Sequence, residues 1–225
     1  MSGNLTWPAP EVSNLSGETF AVRHVWCVGR NYAEHAREMG VDPEKSSPLF
    51  FAKPAQCLIQ TTDVDYPQQT ESLHHEVELA VLLSAGGRDV PAEEWGERIW
   101  GYATAVDLTR RDVQAASKAA GQPWELSKGF DQSAPLGPVT PAEEFAPESG
   151  TAIELRVNDE QRQAGALGQM IWSVGELLAR LSAEVTLNAG DVVLTGTPAG
   201  VGPIERGDRV DASIQGLAPL LFTVR

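Results

Sequence analysis

Short hydrophobic runs separated by turns containing glycine and proline dominate the chain, and they predict a structure made mostly of β-strands. One predicted strand carries Glu76 and Glu78 and stops at Gly86. The other runs cover residues 25–28, 48–53, 99–107, 152–158, 192–194, 207–214 and 219–224. Strands and helices do not alternate regularly, so the pattern favours an α+β domain that is mostly β.

Four segments predict helices, at residues 31–39, 91–98, about 108–120 and 170–181. The last has the clearest helical spacing of apolar residues, whereas helix 31–39 is short and polar, with Gly40 placed to cap its end. Residues 1–22 contain turn residues and little periodicity. We therefore expect a loosely attached N-terminal arm at 1–22, followed by a single larger domain at 23–225.

The composition narrows the possible classes of function. The chain of 225 residues has 31 acidic and 17 basic side chains, which gives a net charge of −14. A field of this sign repels phosphate backbones, so binding to nucleic acid or to anionic membranes is not expected. No apolar run could span a bilayer and the N-terminus lacks a signal-peptide pattern, so we expect a cytoplasmic protein. Its two cysteines, Cys27 and Cys57, are expected to be reduced core residues.

Glu76 and Glu78 are the first residues that suggest chemistry. Being two positions apart on a strand, they share one face, while Val77 and Leu79 share the other. Two carboxylates that run into an apolar strand are costly to bury unless a cation meets them. Hard divalent ions prefer oxygen ligands, so a metal site is one interpretation, and an edge strand with a solvated acidic face is the other.

Several other polar residues also allow two interpretations. His35 and Glu38 stand three residues apart and share one side of a helix, which by itself is typical of a solvated surface pair. Lys53 can be a surface lysine with a buried stem, and Asp107 can initiate the helix that follows it. Lys128 can be a solvated loop residue. The glycine-rich segment 195–203 lacks the end of a phosphate loop, and either forms a tight turn or offers N–H groups to a carboxylate.

Taken together, these residues resemble the fumarylacetoacetate hydrolase (FAH) family in order and spacing. The resemblance runs from about residue 20 to the C-terminus and is closest to short bacterial members that cleave acylpyruvates such as fumarylpyruvate. Mitochondrial acylpyruvases and oxaloacetate decarboxylases are also similar. The matching motifs are Gly29-Arg30-Asn31-Tyr32-Ala33-Glu34-His35, Lys53-Pro54, His74-His75-Glu76-Val77-Glu78, Asp107-Leu108-Thr109-Arg110-Arg111-Asp112, Lys128-Gly129-Phe130-Asp131 and Thr195-Gly196-Thr197-Pro198.

The resemblance implies an FAH-type β-roll or mixed β-sandwich with a few short helices, usually assembled as a homodimer. It also implies Mg²⁺ or Mn²⁺ bound by Glu76, Glu78 and Asp107. Three carboxylates around one dication leave about one negative charge, so an anionic 2-oxo acid substrate needs further cations nearby. The candidates for those cations are Arg30, Lys53 and Lys128.

The resemblance implies roles for individual residues as well. His35 and Glu38 match a dyad that activates water, in which Glu38 orients His35 and raises its basicity. Lys128 matches a lysine that stabilises developing oxyanion charge, and Gln114 and Thr197 match positions that contact substrate. Helix 31–39 suits a lid that orders over the substrate.

We therefore expect a metal-dependent hydrolase that cleaves the C–C bond of an acylpyruvate such as fumarylpyruvate, with the metal acting as a Lewis acid toward the pyruvate enolate. Oxaloacetate decarboxylation or tautomerisation passes through the same enolate and is the first alternative. An isomerase or decarboxylase of longer oxo-diacids from an aromatic-degradation pathway is another. A non-catalytic protein stabilised by a metal is the last alternative.

Overall fold

The computed structural model describes residues 8–38, 40, 42 and 47–225. Its strands are β1 (Glu11–Ser13), β2 (Thr19–Ala21), β3 (His24–Gly29), β4 (Leu49–Lys53), β5 (Leu58–Ile59), β6 (Asp63–Val64), β7 (Leu73–His75), β8 (Val77–Leu83), β9 (Ile99–Val106), β10 (Thr109–Arg110), β11 (Ala134–Pro135), β12 (Thr140–Pro141), β13 (Ala152–Val157), β14 (Glu160–Ala166), β15 (Asp191–Leu194), β16 (Gly202–Ile204), β17 (Arg209–Ile214) and β18 (Leu220–Val224). The α-helices are α1 (Ala33–Glu38), α2 (Arg111–Ala119) and α3 (Val174–Glu184), and 3₁₀ turns cover Ala55–Cys57, Ala92–Glu94, Gly96–Arg98, Glu125–Ser127 and Leu167–Gln169. Among the described residues, no helix is long and apolar enough to cross a membrane.

Two large sheets pack face to face and form the centre of the fold. The six-stranded sheet has the order β12-β9-β8-β15-β3-β4, and the five-stranded sheet has the order β14-β13-β17-β18-β6. Alternate residues of both sheets meet in one apolar core, for example Leu79 and Val81 of β8 with Leu155 of β13. Both sheets contain parallel as well as antiparallel neighbours. This architecture confirms the predicted mostly-β, mixed-sandwich fold class.

The six-stranded sheet is covered on its second face too. There Ala80 and Leu82 of β8 pack in a second apolar cluster with Val12 and Phe20 of the β1–β2 hairpin. The β1–β2 hairpin is thus packed on the sheet, whereas the turn-rich sequence suggested a loosely attached arm. The predicted domain boundary after residue 22 remains a prediction.

Strand β8 lies inside the six-stranded sheet, and every one of its residues is buried. It pairs with β9 on one side and with β15 on the other. The interpretation of Glu76 and Glu78 as a solvated edge is therefore wrong, because this strand has no free edge. Their carboxylates must find partners inside the protein.

The helices differ from the predictions mainly at their ends. Helix α3 begins at Val174 because Ser173 and Glu176 form a reciprocal cap: the Ser173 hydroxyl accepts from the Glu176 N–H (3.4 Å), and the Glu176 carboxylate accepts from the Ser173 N–H (2.9 Å). The segment predicted as helix 91–98 forms two 3₁₀ turns. In helix 31–39, residue 39 lies outside the described residues, and Gly40 has the positive φ of 73° expected of a C-terminal cap.

A close contact between Pro54 and Gly129 holds two loops together. A Cβ atom at Gly129 would lie 2.9 Å from Pro54 Cδ and 3.3 Å from the carbonyl oxygen of Glu125, so no larger residue fits without displacement. The same contact brings Lys53 next to Lys128, and the Lys53 ammonium donates to the Lys128 carbonyl. Both lysines thereby reach one region of the structure.

We expect Gly129→Ala to lower the free energy of unfolding by about 1–3 kcal/mol, because the added methyl group overpacks this contact. Urea unfolding followed by circular dichroism would measure the change. The matched control is Gly96→Ala, where an added Cβ would have no neighbour within 4 Å. That variant should unfold at the same urea concentration as the parent protein or at a slightly higher one. An equal loss of unfolding free energy in both variants would contradict the proposed contact.

Candidate active site

Three carboxylates converge at one end of the β8–β9 pair. The antiparallel register sets Val77 opposite Val106, and the Asp107 N–H donates to the Glu76 carbonyl (2.8 Å), so Asp107 stands opposite Glu76. Opposed residues, and residues two apart on a strand, share a face, so the side chains of Glu76, Glu78 and Asp107 point the same way. Their oxygens lie within 4.8 Å of one another, and all three residues are buried.

Cationic side chains surround this cluster. Lys128 Nζ lies 2.8 Å from Glu76 Oε2 and 2.6 Å from Asp107 Oδ2. The Arg111 guanidinium pairs with the other oxygen of Glu76. Lys53 Nζ lies 2.8 Å from Asp107 Oδ1. Glu76 and Asp107 therefore each have a cationic group beside both carboxylate oxygens.

Glu78 has a different environment, in which its carboxylate accepts a hydrogen bond from the Gly196 N–H (2.6 Å). Burial raises its pKa well above the ordinary value, and the neighbouring charges of Asp107 and Glu76 raise it further. For Glu76, burial alone would raise the pKa, but Lys128 and Arg111 hold it below the ordinary value. Glu78 therefore holds a proton more strongly than Glu76 does.

The oxygens of this cluster fit a hard divalent cation. Carboxylate oxygens are the ligands that Mg²⁺ and Mn²⁺ prefer. Asp107 Oδ1 is buried and accepts no hydrogen bond of good geometry from the described residues, although Lys53 Nζ is close. The reason is that the Lys53 N–H groups donate to the carbonyls of Leu108, Lys128 and Ser133. A buried oxygen with a spare lone pair remains, and a cation would use it.

The structure places Lys53 outside the lining of the pocket. Its side chain is buried behind Asp107, and its three N–H groups are occupied by main-chain carbonyls. It is absent from the pocket wall formed by the described residues. The geometry therefore gives Lys53 a supporting position under Asp107, and the substrate contact suggested by the sequence has no support here.

A small pocket opens onto the carboxylates and gathers most of the predicted site residues. Its lining, as formed by the described residues, does not include Glu38, Lys53 or Asp107. The polar lining consists of Arg30, His35, Glu76, Glu78, Arg111, Gln114, Lys118, Lys128 and Thr197, and the remainder consists of Val28, Gly29, Leu49, Phe51 and Trp124. The combination suits a small anionic ligand with an apolar portion.

One face of α2 supplies Gln114, a predicted substrate contact, together with two cations that the sequence had not indicated for the pocket. Arg111, Gln114 and Lys118 follow each other at intervals of three and four residues, so they lie on one side of the helix. Arg111 Nη1 donates to Gln114 Oε1 (2.7 Å) and fixes the amide. Burial lowers the pKa of Lys118, and the nearby positive charges of Arg111, Arg30 and Lys128 lower it further. Helical spacing from Gln114 could have identified both cations.

Helix α1 brings the predicted dyad to the pocket. His35 is buried, and its Nδ1 lies 3.4 Å from Glu38 Oε2. The second oxygen of Glu38 accepts from the Gly200 N–H (3.2 Å), so the glutamate joins α1 to segment 195–203. His35 Nδ1 thus faces the glutamate. Its ring also lines the pocket beside Glu76 and Glu78.

Asn31 fixes the segment that follows β15. Its amide donates to the carbonyls of Thr195 (2.8 Å) and Trp172 (3.0 Å). Gly196 then adopts a φ of +94°, where a Cβ atom would lie 2.8 Å from Asn31 Cβ, so this position requires glycine. Segment 195–203 does present an N–H group to a carboxylate, and that carboxylate belongs to Glu78 of the protein itself.

Comparison with known proteins agrees with this geometry. Residues 24–225 match the family model described as fumarylacetoacetate (FAA) hydrolase C-terminal. The crystal structure of fumarylpyruvate hydrolase from Pseudomonas aeruginosa in complex with Mn²⁺ and pyruvate is similar with a TM-score of 0.94 and 45% identity, covering 98% of this chain and 97% of that one.

Two relatives carry another activity in their names. The oxaloacetate tautomerase YcgM of Escherichia coli strain K12 is 47% identical over 200 residues, which cover 88% of this chain and 90% of the relative. The mitochondrial oxaloacetate tautomerase FAHD1 of Oryza sativa subsp. japonica is 43% identical over 202 residues, covering 88% and 87%. The sequence match over nearly the whole domain, together with the sandwich fold and its carboxylate cluster, makes this chain a member of the fumarylacetoacetate hydrolase family.

Proposed function

We propose that this protein is a metal-dependent acylpyruvate hydrolase that cleaves fumarylpyruvate-like substrates to pyruvate and a carboxylic acid. The observation that carries the proposal is the buried His35, which shares a pocket with Glu76 and Glu78 and is backed by Glu38. Hydrolysis needs a base that activates the attacking water, whereas decarboxylation and tautomerisation through an enolate involve no attacking water. The similarity to the P. aeruginosa fumarylpyruvate hydrolase supports the same activity.

The cation is proposed to be Mg²⁺ or Mn²⁺, held by Glu76, Glu78 and Asp107. Bound there, it would supply Lewis-acid stabilisation to the developing pyruvate enolate. The three ion-paired cations around the carboxylates offset their charge, so a bound dication makes the site positive overall and favours an anionic 2-oxo acid. The complex of the P. aeruginosa enzyme with Mn²⁺ and pyruvate supports both the cation and the ligand class.

His35 is proposed as the general base. With Nδ1 directed to Glu38, its Nε2 can accept a proton from water as the oxygen adds to the distal acyl carbonyl carbon. The bond between that carbon and the methylene group of the pyruvate moiety then breaks, and its electron pair remains on the pyruvate enolate. The proton held by His35 returns to the methylene carbon, which yields pyruvate and the carboxylic acid.

The remaining cations of the pocket suit a second carboxylate on the substrate. Arg30 and Lys118 line the pocket in addition to the ion-paired Lys128 and Arg111. The lowered pKa of Lys118 reflects in part the mutual repulsion of these cations, and a bound carboxylate would relieve that repulsion. A dicarboxylate such as fumarylpyruvate therefore fits better than a monoanionic acylpyruvate.

Oxaloacetate tautomerisation is the second candidate, and the two tautomerase relatives favour it. It also passes through an enolate, but it needs a proton shuttle and no attacking water. The homodimer and the cytoplasmic location that the sequence suggested remain predictions.

A variant of His35 distinguishes the role of the metal from the role of the base. We expect EDTA to abolish fumarylpyruvate cleavage, and His35→Ala to reduce it by about 10²–10⁴-fold, measured as loss of substrate absorbance. Metal-dependent decarboxylation of oxaloacetate should persist in His35→Ala, because it needs no activated water. The matched control is His24→Ala, since His24 is exposed and outside the pocket. Activity on oxaloacetate alone, or equal loss of both reactions, would contradict the hydrolase proposal.

The raised pKa of Glu78 predicts a pH-dependent stability of the metal-free protein. The folded state keeps the proton of Glu78 at pH values where the unfolded chain, titrating near 4.5, has lost it. This contribution is complete below that value and is lost as the pH rises toward the folded pKa. Glu78→Gln removes the loss, so in EDTA the variant should gain thermal stability relative to the parent as the pH rises above the ordinary value of 4.5.

Addition of Mn²⁺ should reverse that order, because the parent binds the cation and the glutamine variant lacks a ligand oxygen charge. The control is Glu97→Gln at an exposed glutamate. A parallel pH dependence of melting temperature in parent and Glu78→Gln would contradict the assignment of the proton to Glu78.

Substrate charge is tested at Lys118. We expect Lys118→Gln to raise KM for fumarylpyruvate by about fivefold, a modest effect because the lysine is exposed, and to change KM for monoanionic acetylpyruvate much less. Arg156→Gln removes one exposed charge outside the pocket and controls for the overall field. Equal changes for the two substrates would rule out a contact between Lys118 and a second carboxylate.

A further inference from the structure

A buried glutamine connects the pocket to the start of β8. Gln163 lies on β14, outside the pocket wall, and its side chain is buried. Its Oε1 lies 3.0 Å from the Val77 N–H nitrogen and 3.0 Å from His75 Nδ1. Its Nε2 lies 2.7 Å from Thr197 Oγ1 and 2.9 Å from the Pro198 carbonyl oxygen.

The direction of these hydrogen bonds is fixed by the main chain. The Val77 N–H can only donate and the Pro198 carbonyl can only accept, so Oε1 of Gln163 must face Val77 and Nε2 must face Pro198. His75 Nδ1 faces the same acceptor oxygen and must therefore carry its hydrogen there. Both N–H groups of the amide are then used, one by Pro198 and the other by Thr197.

Thr197 is consequently an acceptor toward Gln163, and its own hydroxyl hydrogen is directed elsewhere. The bond from Gln163 is the one hydrogen bond that its hydroxyl makes with the described residues. Thr197 also lines the pocket beside Glu76, Glu78 and Lys128. A hydroxyl that already accepts from a protein donor has its proton available for a bound ligand.

We infer that Gln163 is a positioning residue that orients the Thr197 hydroxyl as a hydrogen-bond donor to a carboxylate or 2-oxo oxygen of the ligand. The inference rests on the proposed function, because it assumes that a 2-oxo acid occupies the pocket. Together with the Lys128 ammonium and the Arg111 guanidinium, the Thr197 hydroxyl makes this wall a set of donors. Ligands that present an acceptor at Thr197 are selected over ligands that present a donor.

Gln163→Glu tests the inference, because it preserves shape and reverses polarity. The introduced carboxylate still accepts from Val77 and His75, but it cannot donate to Thr197, whose hydroxyl would instead donate to it. We expect the dissociation constant of pyruvate from the Mn²⁺-loaded protein, measured by calorimetry, to rise about 10–100-fold. KM for fumarylpyruvate should rise by a similar factor while kcat changes less, because the lost contact is present in the ground state.

A double-mutant cycle separates polarity from added charge. In a Thr197→Val background the effect of Gln163→Glu on pyruvate binding should largely vanish, whereas in Thr197→Ser, which keeps the hydroxyl, it should persist. Gln161→Glu adds a charge at an exposed position of the same strand and should leave binding unchanged. An equal fold-change in the parent and Thr197→Val backgrounds would overturn the inference.

A neutral variant covers the case in which the buried carboxylate prevents folding. Gln163→Met removes the donor without adding charge and lets the Thr197 hydroxyl turn toward the Pro198 carbonyl, so pyruvate binding should again weaken, and only where Thr197 retains its hydroxyl. Unchanged binding in this variant would overturn the inference. Loss of hydrolysis with the binding cycle intact would refute the proposed reaction alone, and failure of the Mn²⁺-loaded parent to bind pyruvate would refute both.

Discussion

The site depends on the neutralisation of three carboxylates inside the protein. Glu76, Glu78 and Asp107 are buried because β8 and β9 are interior strands of a sheet covered on both faces. Burial of unpaired carboxylates costs several kcal/mol each, and the fold supplies Lys128 and Lys53 within 3 Å of oxygens of Glu76 and Asp107. Lys53 also donates to the main-chain carbonyls of Lys128 and Ser133, so the charge cluster and loop 128–133 stabilise each other. Removal of either lysine would leave an uncompensated negative charge inside the protein.

The incomplete neutralisation of the cluster explains its chemistry. Glu78 meets a main-chain N–H group and keeps a raised pKa, while Asp107 retains an oxygen without a well-formed hydrogen bond. A cluster that was fully paired would have little affinity for a further cation. In the proposed function, a dication would bind here by displacing a proton and using oxygens that accept no well-formed hydrogen bond from the protein. The resulting positive site would then attract an anionic substrate despite the net negative charge of the protein.

The sequence predicted the parts of the site that depend on local geometry. The spacing of Glu76 and Glu78 along a strand, and of His35 and Glu38 along a helix, defines which side chains share a face. The position of Asp107 depends on strand register, and the sequence suggested it through family resemblance alone. The sequence indicates Lys53 only as a candidate cation for the substrate. Its position beneath Asp107 depends on the Pro54–Gly129 contact between residues 75 positions apart, which local sequence patterns do not reveal. Gln163 gave no signal, because a single glutamine on a hairpin strand is ordinarily solvated.

Segment 195–203 connects the carboxylate cluster, the pocket wall and the His35–Glu38 pair. Within five residues, the Gly196 N–H supports Glu78, the Thr197 hydroxyl faces the pocket and the Gly200 N–H binds Glu38. Asn31, just before α1, holds the same segment from the other side. A shift of α1 would therefore move His35 and strain the contacts of Thr197 at the same time. Under the proposed function, hydrolysis would need His35 and Thr197 in place together. We therefore expect the position of this segment relative to α1 to affect the balance between hydrolysis and tautomerisation.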